Sequence, residues 1–181
     1  MDNVKYLSER VSVSQTKESL SIVITPDVEP LKQTLLSTWV VFWSFAGLVI
    51  LTQIFGEYSR EQKTFMFIWL LFWAYFEYVT VYAWVWKKYG FEKLTIMEGK
   101  LNYRRFIKGK GKMKIFNISS IKDINITQES ANSIFSNLNN SYWVVGGERI
   151  SIDENSNKTK FGIKLTNTEA VSVVKLIKKY L

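Results

Sequence analysis

The sequence contains no cysteine and no histidine. The missing cysteines exclude disulfide bridges and the common zinc sites. The missing histidines remove the most frequent general base and the most frequent metal ligand. Any catalysis would depend on carboxylates, lysine or tyrosine, and none of these recurs at a catalytic spacing. We therefore predict a non-catalytic protein that needs no cofactor and no metal.

Two long stretches are almost free of charge, although 22% of all residues are charged. Residues 34–55 carry no charge over 22 positions, and residues 64–86 carry only Glu77 over 23 positions. About 20 apolar residues of helix cross the roughly 30 Å hydrocarbon layer of a membrane. The sequence thus predicts two transmembrane helices. The loop 56–63 joins them into an antiparallel hairpin that occupies residues 32–88.

Basic residues are concentrated after the second apolar stretch. From residue 87 onward the chain has 18 basic and eight acidic residues, which is a net charge of +10. The cytoplasmic flanks of membrane helices carry such an excess of lysine and arginine. We therefore expect a multi-pass membrane protein with both the N-terminus and the C-terminus in the cytoplasm.

From residue 90 onward the pattern changes to short runs rich in β-branched and aromatic residues, separated by polar turn sequences. This pattern is typical of β-strands. Trp143 is expected in the core of the β domain, and Ile134 and Phe135 in a short helical turn. The predicted strands are seven, at 91–97, 100–107, 113–118, 121–128, 142–146, 149–153 and 159–166.

The two ends of the chain also carry regular patterns. Thr166 and Glu169 have the spacing of a capping box, and apolar residues follow at helical intervals, which predicts an amphipathic helix at 167–180. Residues 10–25 contain two alternating runs that predict a β-hairpin. Because two strands alone are marginally stable in water, we expect the N-terminal segment 1–30 to join the later β domain.

The segment "YGFEKLTIMEGKLNYRRFIKGKGKMKIFNISSIKDINI" resembles bacterial membrane proteins that carry a PH-like domain after a transmembrane hairpin. Seven strands followed by one amphipathic helix is also the element order of the pleckstrin-homology fold. For residues 90–181 the resemblance implies a PH-like β-sandwich or barrel, and for the whole chain it implies the bacterial cytoplasmic (inner) membrane. Most members of that family have no determined role, so the resemblance concerns fold more than function.

The segment "KLNYRRFIKGKGKMK" (100–114) contains many basic residues and no acidic one. It could contact anionic lipid headgroups, which attract lysine and arginine near the cytoplasmic surface. It could equally be an ordinary cytoplasmic flank with a solvated turn. Nucleic acid is not expected as the partner of a membrane-tethered domain. The candidate headgroup contacts are Arg104, Arg105, Lys108, Lys110, Lys112 and Lys114.

Glu77 is the only charged residue in the two apolar stretches. An ionised carboxylate without a cation is costly in hydrocarbon, so we expect Glu77 to be neutral or paired with another chain. Three interpretations stay open: a hydrogen bond within the hairpin, a contact with another membrane subunit, and a proton relay. The candidate contact residues share one helix face or lie opposite Glu77 on the first helix, and they are Glu77, Trp69, Trp73, Thr80, Trp84, Trp43 and Ser44.

These patterns together predict a non-catalytic accessory or scaffold subunit. It would dock a larger membrane assembly through its aromatic hairpin and its PH-like domain, and its partners would be other integral membrane subunits or further copies of itself. An alternative is a membrane-anchored lipid-sensing module that binds anionic headgroups. A weaker alternative is a component of an ion or proton pathway that uses Glu77.

Overall fold

The computed structural model describes residues 4–127, 141–155 and 157–181. These residues form two compact units. The β unit comprises, among the described residues, 4–27, 86–127, 146–155 and 157–181, and the helical unit comprises 28–85 and 141–145. The predicted helical turn at Ile134 and Phe135 lies outside the described residues.

The helical unit contains two long helices, α1 (Pro30–Gln53) and α2 (Arg60–Tyr89). Proline suits the first turn of a helix, where its missing N–H is not needed, and this explains why α1 begins at Pro30. Both helices are long and apolar enough to cross a membrane. Only 11% of the most apolar window of α1 and 6% of that of α2 is buried. A core helix of a soluble protein would instead be mostly buried.

The two helices approach closely at Gly47. A Cβ atom on Gly47 would lie 1.9 Å from Cε2 of Trp73, so the indole occupies the space that any side chain here would need. Small residues allow membrane helices to pack with their backbones close together. The indole Nε1 of Trp73 also donates a hydrogen bond of 2.9 Å to the carbonyl of Trp43. Packing and hydrogen bonding by Trp73 of α2 therefore hold the same part of α1, between Trp43 and Gly47.

The β unit is built from two antiparallel sheets, and the described strands do not close into a barrel. The first sheet has six strands in the order of the chain, and the second has three. The barrel alternative of the predicted fold is therefore wrong, and two sheets replace it. The strands are β1 (Val4–Tyr6), β2 (Val11–Gln15), β3 (Ser19–Ile24), β4 (Gly90–Met97), β5 (Lys100–Ile107), β6 (Met113–Asn117), β7 (Ile121–Ile126), β8 (Glu148–Glu154) and β9 (Asn157–Ile163).

Most predicted strands are confirmed, and one prediction is wrong. Residues 142–146 form turns and bends and not a strand. The side chains of this segment belong to the helical unit: the Tyr142 hydroxyl lies 3.1 Å from the amide oxygen of Gln33, and Trp143 packs edge-on against Trp39 at 6.0 Å. Trp143 is consequently not in the core of the β unit, because its aromatic partner lies on α1.

The N-terminal hairpin joins the β unit of its own chain. Strand β3 pairs with β4 over six residues, from Ser19 opposite Met97 to Ile24 opposite Glu92. The entire helical hairpin of residues 28–85 is thus inserted between two neighbouring strands of one sheet. Strand β1 was not predicted, since its three residues are too few to show an alternating pattern.

The core of the β unit draws on both sheets and on the helix α3 (Asn167–Ile177). Burial alternates along the strands, and in β3 and β4 every second residue is buried. The predicted capping box is present, because the side chains of Thr166 and Glu169 each accept a hydrogen bond from the other residue's backbone N–H. The side chains of α3 that complete the core are those of Ala170, Val173 and Ile177.

A carboxylate lies in this core. Glu92 occupies an inward position of β4 and is 1% exposed. One of its oxygens accepts hydrogen bonds from the backbone N–H groups of Gly162 and Ile163, at 3.0 and 2.8 Å. Its other oxygen accepts from the hydroxyl of Tyr103. The bonds from β9 to β4 join the two sheets through one side chain.

Arg105 completes this polar network. Its guanidinium lies 3.5 Å from Glu92 and 2.9 Å from Glu148 on strand β8. The same group stands over the ring of Trp86, with its carbon 5.6 Å from the ring centroid. Buried charges are tolerated only when they are paired and hydrogen-bonded. The network therefore joins β4, β5, β8, β9 and the end of α2 in one connected group.

Burial, and then the negative charge of Glu92, raise the pKa of Tyr103 far above the ordinary tyrosine value of 10.0. The folded protein therefore keeps this phenol protonated where the unfolded chain has begun to ionise it. A raised pKa in the folded state gives stability that is complete below the unfolded pKa and declines as the pH rises beyond it. Tyr103 thus contributes more to the free energy of unfolding at neutral pH than in alkaline solution.

We expect Tyr103→Phe to lower the free energy of unfolding of the β unit by roughly 1–3 kcal/mol at neutral pH, since buried Glu92 loses a donor. The difference from the wild type should shrink above about pH 10, where the unfolded wild type ionises. Denaturant unfolding of the detergent-solubilised chain, followed by circular dichroism at several pH values, measures both effects.

The matched control is Tyr6→Phe, because Tyr6 is 72% exposed on β1. This variant should unfold like the wild type at every pH. A Tyr103→Phe variant whose deficit stays constant through the alkaline range would contradict the assigned role of the phenol.

Candidate functional site

The residues predicted as a contact face of the hairpin lie mainly between its two helices. Trp84 donates a hydrogen bond of 2.9 Å from its indole Nε1 to the hydroxyl of Ser37. Thr80 is buried, and its hydroxyl donates to the carbonyl of Phe76 at 2.7 Å on the same helix. The structure therefore uses much of the predicted face to hold α1 against α2.

Tryptophan rings pack against one another along the two helices. The rings of Trp39 and Trp43 stack with centroids 5.5 Å apart. Trp43 also meets Trp69 of α2 at 6.0 Å, with the ring planes tilted by 49°. Aromatic pairs in this range of distances stabilise by roughly 0.5–1.5 kcal/mol beyond their buried area. Trp43 and Trp69, together with Trp73 on Gly47, place aromatic rings between the two helices, whereas Trp39 is 48% exposed at the edge of this group.

Glu77 is hydrogen-bonded within the hairpin. The hydroxyl of Ser44 donates to its Oε1 at 2.6 Å, which is the partner that antiparallel packing of the two stretches predicts. Within the described part of the chain, Oε2 of Glu77 and Nε1 of Trp43 are buried without a hydrogen-bond partner. Of the three interpretations of Glu77, the geometry favours the hydrogen bond within the hairpin. Its predicted contact with another subunit stays a prediction.

We expect Glu77→Gln to leave the stability of the chain unchanged, since the amide oxygen still accepts from Ser44. Glu77→Leu should cost about 0.6 kcal/mol, the average for a hydrogen bond between membrane helices. Thermal unfolding of the full chain in one detergent compares the variants.

Ser44→Ala serves as the matched control, because it removes the same bond from the other side. Combining Ser44→Ala with Glu77→Leu should therefore cost no more than either change alone. Fully additive losses would show that Glu77 is held by some other group.

The candidate headgroup residues divide into two sets. Arg105 is engaged by Glu92 and Glu148. Arg104 donates from Nε to the carbonyl of Gly111 at 2.7 Å and lies over the ring of Phe106. Lys114 points its ammonium toward the hydroxyl of Thr159, at 3.4 Å. These three side chains have structural partners, although Lys114 is also exposed. The lysines of the turn between β5 and β6 are exposed and have no side-chain hydrogen bond or ion pair with a described residue: Lys108, Lys110 and Lys112.

Sequence reasoning missed Glu92 and Tyr103. Leu94 and Ile96 are apolar residues at alternate positions of a predicted strand, and Glu92 has the same parity. Side chains two residues apart point to the same face of a strand. This alternation was the available signal that a carboxylate faces the core.

The described residues contain no group of three or more acidic side chains placed to hold a metal ion. No protein-family model, curated protein or solved structure matches the chain. The candidate sites therefore rest on the geometry alone.

Proposed function

We propose that the chain is a membrane-anchored accessory or scaffold subunit in which α1 and α2 cross the bilayer and the outer face of α2 docks another membrane helix. The β unit, which we propose to be PH-like on the strength of its strands followed by one capped helix, lies in the cytoplasm in this proposal. The chain performs no catalysis in this role. The bacterial inner membrane is the proposed location.

The observation that carries this proposal is a stripe of residues on the outer face of α2. Leu71, Tyr75, Tyr78 and Tyr82 follow at steps of four, three and four, which places them on one side of a helix. Tyr75 is 64% exposed and Tyr78 is 70% exposed. The hydroxyls of Tyr75 and Tyr78 form no hydrogen bond with any residue that the structure describes. We call these four residues the tyrosine stripe.

The tyrosine stripe lies halfway along α2, where a tyrosine hydroxyl would be far from water in a membrane. Residues 75 and 78 lie at the middle of a 30-residue helix, so they would stand near the centre of a bilayer that α2 crosses. Tyrosine is usually enriched at the two interfaces, where its hydroxyl reaches water. A hydroxyl in hydrocarbon without a partner is unfavourable. A neighbouring helix that offers carbonyl or hydroxyl acceptors would satisfy both groups.

The surface beside the stripe also fits a helix. A shallow groove runs along α2 ahead of Tyr78, and its lining is almost entirely apolar. Apolar grooves are a common way to receive a helix. The residues that line the groove are Phe65, Ile68, Trp69, Leu71, Phe72 and Tyr75.

The proposed orientation is tested by labelling. The chain has no cysteine of its own, so single cysteines give a clean signal. We expect Ser59→Cys, in the loop between the helices, to react with an impermeant thiol reagent added to intact cells. Lys158→Cys, at the start of β9, should react only after the cells are opened.

Labelling of Lys158→Cys in intact cells, with Ser59→Cys protected, would invert the orientation. If the two sites behave alike in intact cells, either both protected or both labelled, the hairpin does not span the membrane.

Docking is tested by removing the two hydroxyls. Tyr75→Phe combined with Tyr78→Phe deletes two hydrogen bonds of about 0.6 kcal/mol each, which corresponds to roughly eightfold weaker association. Native mass spectrometry of the complex extracted in mild detergent measures the bound fraction across a dilution series.

The control for this experiment is Tyr6→Phe, which makes the same chemical change outside the helices. It should retain full association. If the double variant associates as strongly as the wild type, the tyrosine stripe does not bind the partner. If the only species found is an oligomer of this chain, the accessory role in a larger assembly is lost.

A further inference from the structure

The end of α2 is held close to the basic turn between β5 and β6. Tyr89, the last residue of α2, has the ammonium of Lys88 5.3 Å and that of Lys108 5.2 Å from its ring centroid. The backbone N–H of Lys108 donates to the carbonyl of Tyr89 at 3.3 Å. Both cations are thus within about 6 Å of the ring, the range of cation–π attraction. We call Lys88, Tyr89, Lys108, Lys110 and Lys112 the helix-exit cluster.

The turn that carries the lysines is fixed by its own backbone. Ile107 and Lys110 exchange two hydrogen bonds, of 2.7 and 3.0 Å. Lys108 and Gly109 between them have positive φ angles of 48° and 73°, as a tight two-residue hairpin turn requires. The three lysine side chains are therefore presented from a short and well-defined loop.

The turn continues against β5 at Gly111. A Cβ atom there would lie 1.9 Å from the carbonyl oxygen of Arg105, so only glycine fits. The Nε of Arg104 also donates a hydrogen bond to the carbonyl oxygen of Gly111. This contact keeps the chain between Lys110 and Lys112 close to the neighbouring strand.

The lysines of the turn form no ion pair with a carboxylate of the described ranges. The ion pairs there involve other basic residues, namely Arg10, Lys32, Arg105 and Lys178. Lys108, Lys110 and Lys112 are exposed. Their positive charge is therefore not neutralised within the described protein, and an anion would supply the missing charge.

The place of the cluster along the chain indicates which anion. The apolar run of α2 ends at Trp86, and Lys87, Lys88 and Tyr89 follow at once. Basic and tyrosine side chains directly after an apolar span lie at the level of the lipid headgroups. Because Lys108 is bonded to Tyr89, the basic turn lies at the same level. The nearest abundant anions there are lipid phosphates.

We propose that the helix-exit cluster binds the phosphate of an anionic phospholipid headgroup. The ammonium groups of Lys108, Lys110 and Lys112 pair with the phosphate oxygens, and the Tyr89 ring packs against the upper part of the acyl region. This site rests on the membrane crossing of α2 proposed above, but not on the docking of a partner helix. The proposed site differs from the ordinary excess of basic residues beside a membrane helix, because binding requires these particular lysines.

The test uses the full chain in a neutral detergent and measures lipid binding by native mass spectrometry. The probes are phosphatidylglycerol and phosphatidylcholine with the same acyl chains, and inorganic phosphate as a competitor. The variant combines Lys108→Gln, Lys110→Gln and Lys112→Gln. The matched control combines Lys17→Gln, Lys158→Gln and Lys175→Gln, which removes the same charge from exposed positions on β2–β3, β9 and α3.

The wild type should prefer phosphatidylglycerol to phosphatidylcholine. The cluster variant should lose roughly a hundredfold in affinity for phosphatidylglycerol, and the control variant should lose little. Equal losses in the two variants would reduce the effect to overall charge and overturn the site. Equal binding of both lipids would overturn it as well. Displacement of the lipid by an equimolar amount of inorganic phosphate would indicate a site for the free anion instead.

Failure of the membrane crossing is recognised separately. In that case the cysteines at positions 59 and 158 behave alike in intact cells, whatever the lipid measurement gives. A chain that labels as expected but shows no lipid preference overturns only the phosphate site.

Discussion

The carboxylate of Glu92 accepts hydrogen bonds from two strands of different sheets, and the β unit is arranged around this contact. Gly162 has a φ of 76°, a conformation that glycine adopts easily, and the backbone N–H groups of residues 162 and 163 there donate to the carboxylate. Tyr103 and Arg105 approach the same side chain from β5. If any one of these donors is removed, a buried acceptor or a buried charge is left unsatisfied, which costs more than the bond itself contributes.

The network also includes the last residues of α2, which belong to the β unit. Arg105 stands over Trp86, three residues before the end of α2, and a Cβ atom on Gly90 would lie 2.3 Å from the Trp86 ring. Lys87 donates to the carbonyl of Asp27 at 3.0 Å. Packing and hydrogen bonds therefore hold residues 86–90 within the β unit.

Much of this architecture could be predicted from periodicity. The two charge-poor stretches, the alternating strands and the capping box of Thr166 and Glu169 are local signals, and the structure shows helices, strands and a capped helix at these places, with the exception of residues 142–146. Ser44 was correctly placed opposite Glu77, because two antiparallel helices joined by a short loop have a simple register. The position of Trp143 could not be predicted this way, since a bulky aromatic residue fits a strand as well as it fits a stack against Trp39. The partners of Arg105 depend on contacts between distant strands, and local composition carries no information on them.

The pairing of β3 with β4 has a consequence for the order of folding. Ile24 and its partner Glu92 are separated by the whole hairpin in sequence, so β3 leaves the ribosome well before the strand that it needs. Contacts between residues that are distant in sequence form slowly. Until they form, the unpaired strand edges are prone to aggregation. The six-stranded sheet cannot assemble until both helices and β4 have been synthesised. A chain that ends before β4 therefore leaves the edge of β3 unpaired.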